Sequence, residues 1–260
     1  MRRTVQRLFQ YKDPLNIRKL LTSEEKIISD TAHAFCQKEL MPHVLKHHRN
    51  ETFDKGIFQQ MGSLGFLGIL KGNAYGLLAR EVERVDSAYR SAMSVQSSLV
   101  IHPIREFGSK EQQEKFIPGL MSGESIGCFG LTEPNHGSDP SKMETRAVPS
   151  TDGTFSITGS KNWITNAPIA DVFIVWAKDT SDNRVKGFIL EKDMTGLDTQ
   201  KIEGKFSLRA SPTGMIFMDN VRVPIEKLLP GVEGLKGPFS CLNHARFGIS
   251  CRVTGAAEFC

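Results

Sequence analysis

Two polar stretches in the middle of the chain bring together residue types that can hold a ligand. In Leu131-Thr132-Glu133-Pro134-Asn135-His136-Gly137-Ser138-Asp139 the hydroxyls of Thr132 and Ser138 are donors, and Gly137 permits close approach to the backbone. Further on, Lys161-Asn162-Trp163-Ile164-Thr165-Asn166 adds an aromatic plate and another hydroxyl. Either stretch alone reads as an ordinary polar loop. Together and in this order they are far more specific, because donors and aromatic surface are what a protein sets around a cofactor that carries the chemistry itself. Other candidates read blandly. His43 and His47 share a helix face, but no carboxylate or cysteine completes a metal set, so they read as solvated and no metal site is expected. His136 lies inside the first motif without an evident partner. Cys128, on the strand leading into that motif, reads as core rather than nucleophile.

Such stretches need a scaffold, and the texture of the chain changes twice. Up to about Gly123 the pattern is helical. Thr22-Ser23-Glu24-Glu25 reads as a capping box opening a helix toward Leu40, which Pro42 ends. Further helices are expected from Asp54 into the glycines Gly62, Gly65 and Gly68, from Tyr75 to Asp86, and from Tyr89 to Ile101. A second box, Ser109-Lys110-Glu111-Gln112, starts one that ends near Ser122. From Ser125 to about Pro238 short β-prone runs replace them: Ile126–Leu131, Thr154–Thr158, Val172–Trp176 and Gly214–Met218, with turns marked by Gly153 and Asn183. From Phe239 the pattern is helical again, with Leu242, Ala245, Ile249, Val253 and Ala256 at helical spacing, and it stops at Cys260 without a capping signal, as an interrupted helix would. The fold class expected is multi-domain α+β. An all-α domain over 14–124 precedes an antiparallel β-barrel or sandwich over 125–237, and 238–260 begins a second helical domain.

A helical domain, a β domain and these two motifs in this order resemble the acyl-CoA dehydrogenase family, and the resemblance runs from Asp13 to Cys260. It implies FAD as cofactor. Phe129, Gly130, Leu131, Thr132, Glu133, Pro134, Asn135, His136, Gly137 and Ser138 would line the flavin, with Thr132 near the isoalloxazine edge. Trp163 would pack on a ring face beside Ile164, Thr165 would hydrogen-bond near the reactive nitrogen, and Ser138 would also flank the acyl-CoA pantetheine. Leu78–Gln96, Gly204–Ser211 and Cys241–Arg246 are similar to the glutaryl-CoA branch of the family. By that resemblance Arg90, with Ser91 beside it, holds the far carboxylate of glutaryl-CoA, for which a planar guanidinium fork is suited. Glu83, on the same helix face, would orient it. Without the resemblance, Arg90 reads as a helix-surface partner of Asp86 and Glu83 as a solvated acid. Phe239, Ser240, Cys241, Leu242, Asn243, His244, Ala245 and Arg246 would join acyl-CoA binding, chiefly through Asn243 and Arg246.

The reaction so implied removes the α-proton of the thioester while the β-hydrogen leaves as hydride to the flavin. Hydrogen bonds to the thioester carbonyl stabilise the enolate. Loss of the γ-carboxylate as carbon dioxide then leaves crotonyl-CoA, a step of lysine, hydroxylysine and tryptophan degradation. Electrons would pass to an electron-transfer flavoprotein, and the family works as a homotetramer. No catalytic residue is assigned, because the family's base is a glutamate of the C-terminal helical domain with no matching position before Cys260. Lys71-Gly72-Asn73-Ala74 stands where relatives have a longer glycine-containing loop near the substrate pocket. Two readings follow: a truncated glutaryl-CoA dehydrogenase that is inactive alone, or a non-catalytic isoform or flavin- and acyl-CoA-binding remnant.

Composition bounds these readings. With 39% hydrophobic and 24% charged residues in 260, the chain is globular. The net charge of +4 comes from scattered basic residues, which argues against nucleic acid as a partner. No apolar run approaches the roughly 20 residues of a membrane span. Five cysteines without a C-x-x-C pair fit a reducing compartment rather than a disulfide framework. Residues 1–13 carry Arg2, Arg3, Arg7 and Lys12 before the first acid, Asp13. They read either as a short, serine-poor mitochondrial presequence, which with the family's usual compartment points to the matrix, or as a basic end on a cytosolic protein.

Overall fold

The capping box at Thr22 forms as its residues require. The Thr22 hydroxyl accepts the Glu25 N–H at 3.2 Å, and the Glu25 carboxylate accepts the Thr22 N–H at 2.8 Å. The structure, a computed structural model, describes Asp13 and residues 16–69, 72–232 and 234–260. The basic N-terminal residues on which the presequence reading rests lie outside the described residues, as does Lys71 of the short loop.

Helix α1 (Ser23–Phe35) does not end at Pro42. A π turn over Cys36–Leu40 widens the coil, and α2 (Met41–Asn50) continues with Pro42 in its first turn. The Met41 N–H reaches back five residues to the Cys36 carbonyl. Beyond that wide turn, a first-turn proline lacks an N–H that has no obligatory partner. Helices α3 (Gly56–Ser63), α4 (Gly72–Glu83) and α5 (Ser87–Ser94) follow. A second π turn over Val95–Ile101 joins α5 to α6 (His102–Phe107), and α7 (Lys110–Ser122) opens on the expected box at Ser109 and Gln112.

The β domain is a curled sheet of seven strands among the described residues: β1 (Gly127–Gly130), β2 (Arg146–Pro149), β3 (Thr154–Thr165), β4 (Val172–Asp179), β5 (Val185–Glu191), β6 (Leu197–Lys201) and β7 (Thr213–Pro224). Its order is β1-β4-β2-β3-β7-β6, with β5 on the other edge of β4. Pairing is antiparallel as expected for β2–β3, β3–β7, β4–β5 and β6–β7, whereas β1 and β2 follow one another along β4 in parallel. Strand β4 is buried on both faces, which explains its unbroken apolar run. Val172, Ile174 and Trp176 pack into the core shared with the helices, while Phe173, Val175 and Ala177 point into the sheet's own core. Helix α8 (Lys236–Phe259) returns to lie along α4. The approach is close: a Cβ on Gly255 would come within 2.1 Å of the Arg80 carbonyl oxygen, and one on Gly248 within 2.6 Å of the Tyr75 ring. Glu258 is held by Arg80 and Arg84.

Candidate functional site

A cleft of about 390 Å³ opens where the helices meet the β domain. The π turn contributes Val95 and Leu99, β1 contributes Phe129, the segment after it contributes Leu131, Thr132, Gly137, Ser138 and Pro140, β3 contributes Trp163, Ile164 and Thr165, and α8 contributes Phe239, Leu242 and Arg246. The two motifs are thus brought to one place, and a backbone bond from the Asn162 N–H to the Thr132 carbonyl ties them at 2.9 Å. The β3–β7 register slips between Lys161 and Ile164, where Asn162 and Trp163 on β3 face Met215 alone on β7, which is a β-bulge. Trp163 sits in that bulge at φ +59°, a left-handed conformation costly for a bulky residue. The Asn162 side-chain oxygen accepts the Trp163 N–H at 2.8 Å, and the indole is 59% exposed at the cleft. A strained aromatic left facing a cavity, beside the Thr132, Thr165 and Ser138 hydroxyls, suits a planar heteroaromatic ring.

Glu133 belongs to the same motif but does not line the cleft. Its buried carboxylate accepts from Lys161 Nζ at 2.8 Å and from the backbone N–H groups of Glu144 and Thr145 at 2.5 and 2.9 Å. Lys161 Nζ also donates to the Leu131 carbonyl at 3.3 Å. Burial pushes Lys161 down to about 8 against the opposing pull of Glu133. Burial also works to raise the Glu133 carboxyl, but Lys161 and the backbone donors outweigh it and hold Glu133 below its ordinary value. The Lys161–Glu133 contact pins the motif loop to β3. Pro134 and Asn135 are exposed and stand outside the lining, and Gly130 is packed under Lys161 and Ile216. His136 has a partner after all, Glu144, at 3.2 Å.

On α8 the helical period sorts the expected contacts. Phe239, Leu242 and Arg246 share the cleft face, and Asn243 accepts from Arg246 Nη1 at 2.9 Å, so it reaches the cleft through that side chain. Ser240, Cys241, His244 and Ala245 face elsewhere. The Ser240 hydroxyl and Cys241 thiol donate to the Gly237 carbonyl at 2.8 and 3.4 Å, and burial pushes the thiol up to about 12. His244 stacks edge-on against His102, ring centroids 4.3 Å apart. Arg90 and Ser91 are likewise outside the lining. Arg90 does not pair with Asp86, which caps α5 by accepting the Ala88 N–H at 2.7 Å. It is buried with Glu83, also buried, to which its Nε donates at 3.0 Å, and its Nη2 donates to Ser91 Oγ at 2.8 Å. The orienting contact expected of Glu83 is present, and neither residue is a solvated surface charge.

Val95, Leu99 and Pro140 are lining residues the sequence did not reveal. The buried polar run Gln96-Ser97-Ser98 carried the signal for the first two. Gln96 donates to the Leu120 and Ser125 carbonyls at 2.9 and 2.8 Å and accepts the Gly127 N–H at 2.8 Å, and Ser97 accepts the Gly68 N–H at 3.0 Å. This hub fixes the π turn against β1, and π turns gather at functional sites because they re-aim side chains within a helix.

The N-terminal domain of acyl-CoA dehydrogenases matches residues 22–124, and their middle domain matches residues 128–221. The chain belongs to the acyl-CoA dehydrogenase family. It is 34% identical over 256 residues to the short-chain specific acyl-CoA dehydrogenase of Megasphaera elsdenii, covering 92% of this chain and 67% of that protein. A glutaryl-CoA dehydrogenase from Mycobacterium smegmatis superposes with a TM-score of 0.91 at 42% identity, covering 95% of this chain and 66% of that one. A glutaryl-CoA dehydrogenase from the same organism, solved in complex with FADH2, gives 0.90 at 40% identity over 94% of this chain and 65% of that one. The chain thus spans about two thirds of the length of these relatives.

Proposed function

We propose that this chain forms the flavin and acyl-CoA cradle of an FAD-dependent oxidoreductase acting on acyl-CoA thioesters, and that the acyl group is glutaryl. The convergence of Trp163, Thr165, Thr132 and Ser138 on one cleft carries the first half of this reading. FAD, when bound, supplies the acceptor for a hydride from the thioester's β-carbon, in the reaction that ends in crotonyl-CoA and carbon dioxide. The chain's own residues do the rest. The bulge presents the indole to a ring face, the motif hydroxyls offer donors, the apolar side chains of Val95, Leu99 and Leu242 exclude water, and Arg246 offers a cation to the phosphorylated carrier. Electron transfer to an electron-transfer flavoprotein, assembly as a homotetramer and residence in the mitochondrial matrix belong to the same reading.

Arg90 supports the glutaryl half: Glu83 takes its Nε and Ser91 its Nη2, which leaves Nη1 without a partner among the described residues and able to meet a second carboxylate. A second reading, a plain short acyl chain, is favoured by the apolar lining near the π turn and by the short-chain relative. Arg90→Gln in a catalytically competent protein containing this chain separates the two. Glutaryl-CoA turnover falls by about a hundredfold or more while butyryl-CoA turnover is unchanged, in line with loss of a charge-assisted bidentate contact. Unchanged glutaryl-CoA turnover would make the short-chain reading the correct one.

A further inference from the structure

The π-turn helix and α8 run antiparallel. His102 meets His244 at one end, and Glu83 bridges Arg90 and Arg252 at the other. The cleft opens between, at Val95 and Leu99 on one side and Arg246 on the other, and continues past His244 to Leu242. Five residues separate Val95 from Arg90 and six separate Arg246 from Arg252, so the arginines stand roughly 8–9 Å farther along their helices. They close the far end of the seam.

The ion pairs there are shared unevenly. Glu83 Oε2 accepts from Arg90 Nε at 3.0 Å and from Arg252 Nη1 at 3.5 Å, so two guanidinium groups share one carboxylate oxygen. The other oxygen takes the Ser87 hydroxyl. Arg90 and Glu83 side chains are 6% and 5% exposed, and Arg252 is 23% exposed. Asp86 pairs with neither arginine; it caps α5, and its charge acts on Glu83 from nearby. One helical turn away the same helices form a balanced group, in which Arg80 and Arg84 face Glu258 and Glu81. A buried guanidinium that shares its carboxylate partner with a second guanidinium keeps the capacity to bind a further anion. Arg90 Nη1 has no hydrogen-bond partner among the described residues.

We propose that Arg252 is a specificity-determining residue that joins Arg90 in binding the far carboxylate of a dicarboxylic acyl thioester. Arg252 acts in two ways. It draws on Glu83, so that the acid does not neutralise Arg90 fully, and it adds its own charge beside the incoming carboxylate. The inference rests on the glutaryl reading of the cleft and adds a residue from α8 to it.

The test is binding of glutaryl-CoA and butyryl-CoA to the 260-residue chain by calorimetry, for the wild type, Arg252→Gln, Arg252→Lys and Arg90→Gln. The wild type prefers glutaryl-CoA. Arg252→Gln weakens glutaryl-CoA about tenfold and leaves butyryl-CoA within about twofold, Arg252→Lys recovers part of the loss, and Arg90→Gln removes the preference. A merely structural role would weaken both thioesters together and overturn the proposal, as would a full glutaryl preference in Arg252→Gln. A wild type without any glutaryl preference, or one that binds neither thioester, would instead overturn the reading beneath it. Arg252 is partly exposed, and the lysine variant keeps the test valid should the glutamine variant fold poorly.

Discussion

The two walls of the cleft each hold a buried acid, and the two acids are treated differently. In the β wall Glu133 meets one cation, Lys161, and two backbone donors, and every charge is matched. In the helical wall Glu83 meets two cations through one oxygen, and neither has it alone. An exclusive buried pair fixes geometry, while a shared one keeps donors that a ligand can use. The β wall is accordingly a frame for the bulge that carries Trp163, and the helical wall is where the proposed discrimination between acyl groups would reside.

This contrast is sharpest under mutation. Lys161→Met strands a buried carboxylate and lowers stability by about 3–5 kcal/mol, read by urea denaturation, and Glu133→Gln in the same chain restores much of the loss. Gly255→Ala forces α8 off the Arg80 carbonyl and costs about 1–3 kcal/mol, with the ion pairs of Glu258 weakened at the same time. Arg252→Gln costs less than about 1 kcal/mol, because Glu83 keeps Arg90 and Arg252 is partly exposed. An equal cost for Lys161→Met and Arg252→Gln would erase the distinction between the walls.

The helical wall also responds to pH. Burial, with His244 adding to it, pushes His102 down to about 4. The unfolded chain therefore takes up a proton near pH 6.5 that the folded chain refuses. The stability His102 contributes is whole above about pH 6.5 and is lost as the pH falls toward 4. Thermal unfolding between pH 4 and 7 shows a decline that His102→Asn flattens; an unchanged decline would remove His102 from the account.

Much of this was legible in the sequence, for physical reasons that can be named. The boxes at Thr22 and Ser109 are local and need only side-chain and backbone geometry, so their spacing sufficed. The stop at Pro42 failed because a π turn, set by tertiary packing, moves the hydrogen-bond ladder before the proline. Strand β6 (Leu197–Lys201) was missed because its edge position allows half-exposed polar residues, leaving no apolar run to read. The motif types identified the cleft, yet they could not separate Thr132, which lines it, from Glu133, which braces it; that distinction depends on the twist of the chain after β1. Arg252 carried no motif, and only the docking of α8 on α4 brings it to Glu83.

The central claim is that the cleft holds a flavin against Trp163. Trp163 and Trp176 are the only tryptophans, and Trp176 is fully buried. In a Trp176→Phe background, FAD titrated into the chain should quench the remaining tryptophan emission saturably, and Thr165→Ala should weaken the apparent affinity. Quenching that rises linearly without saturation, or is unaffected by Thr165→Ala together with Ser138→Ala, would contradict the account.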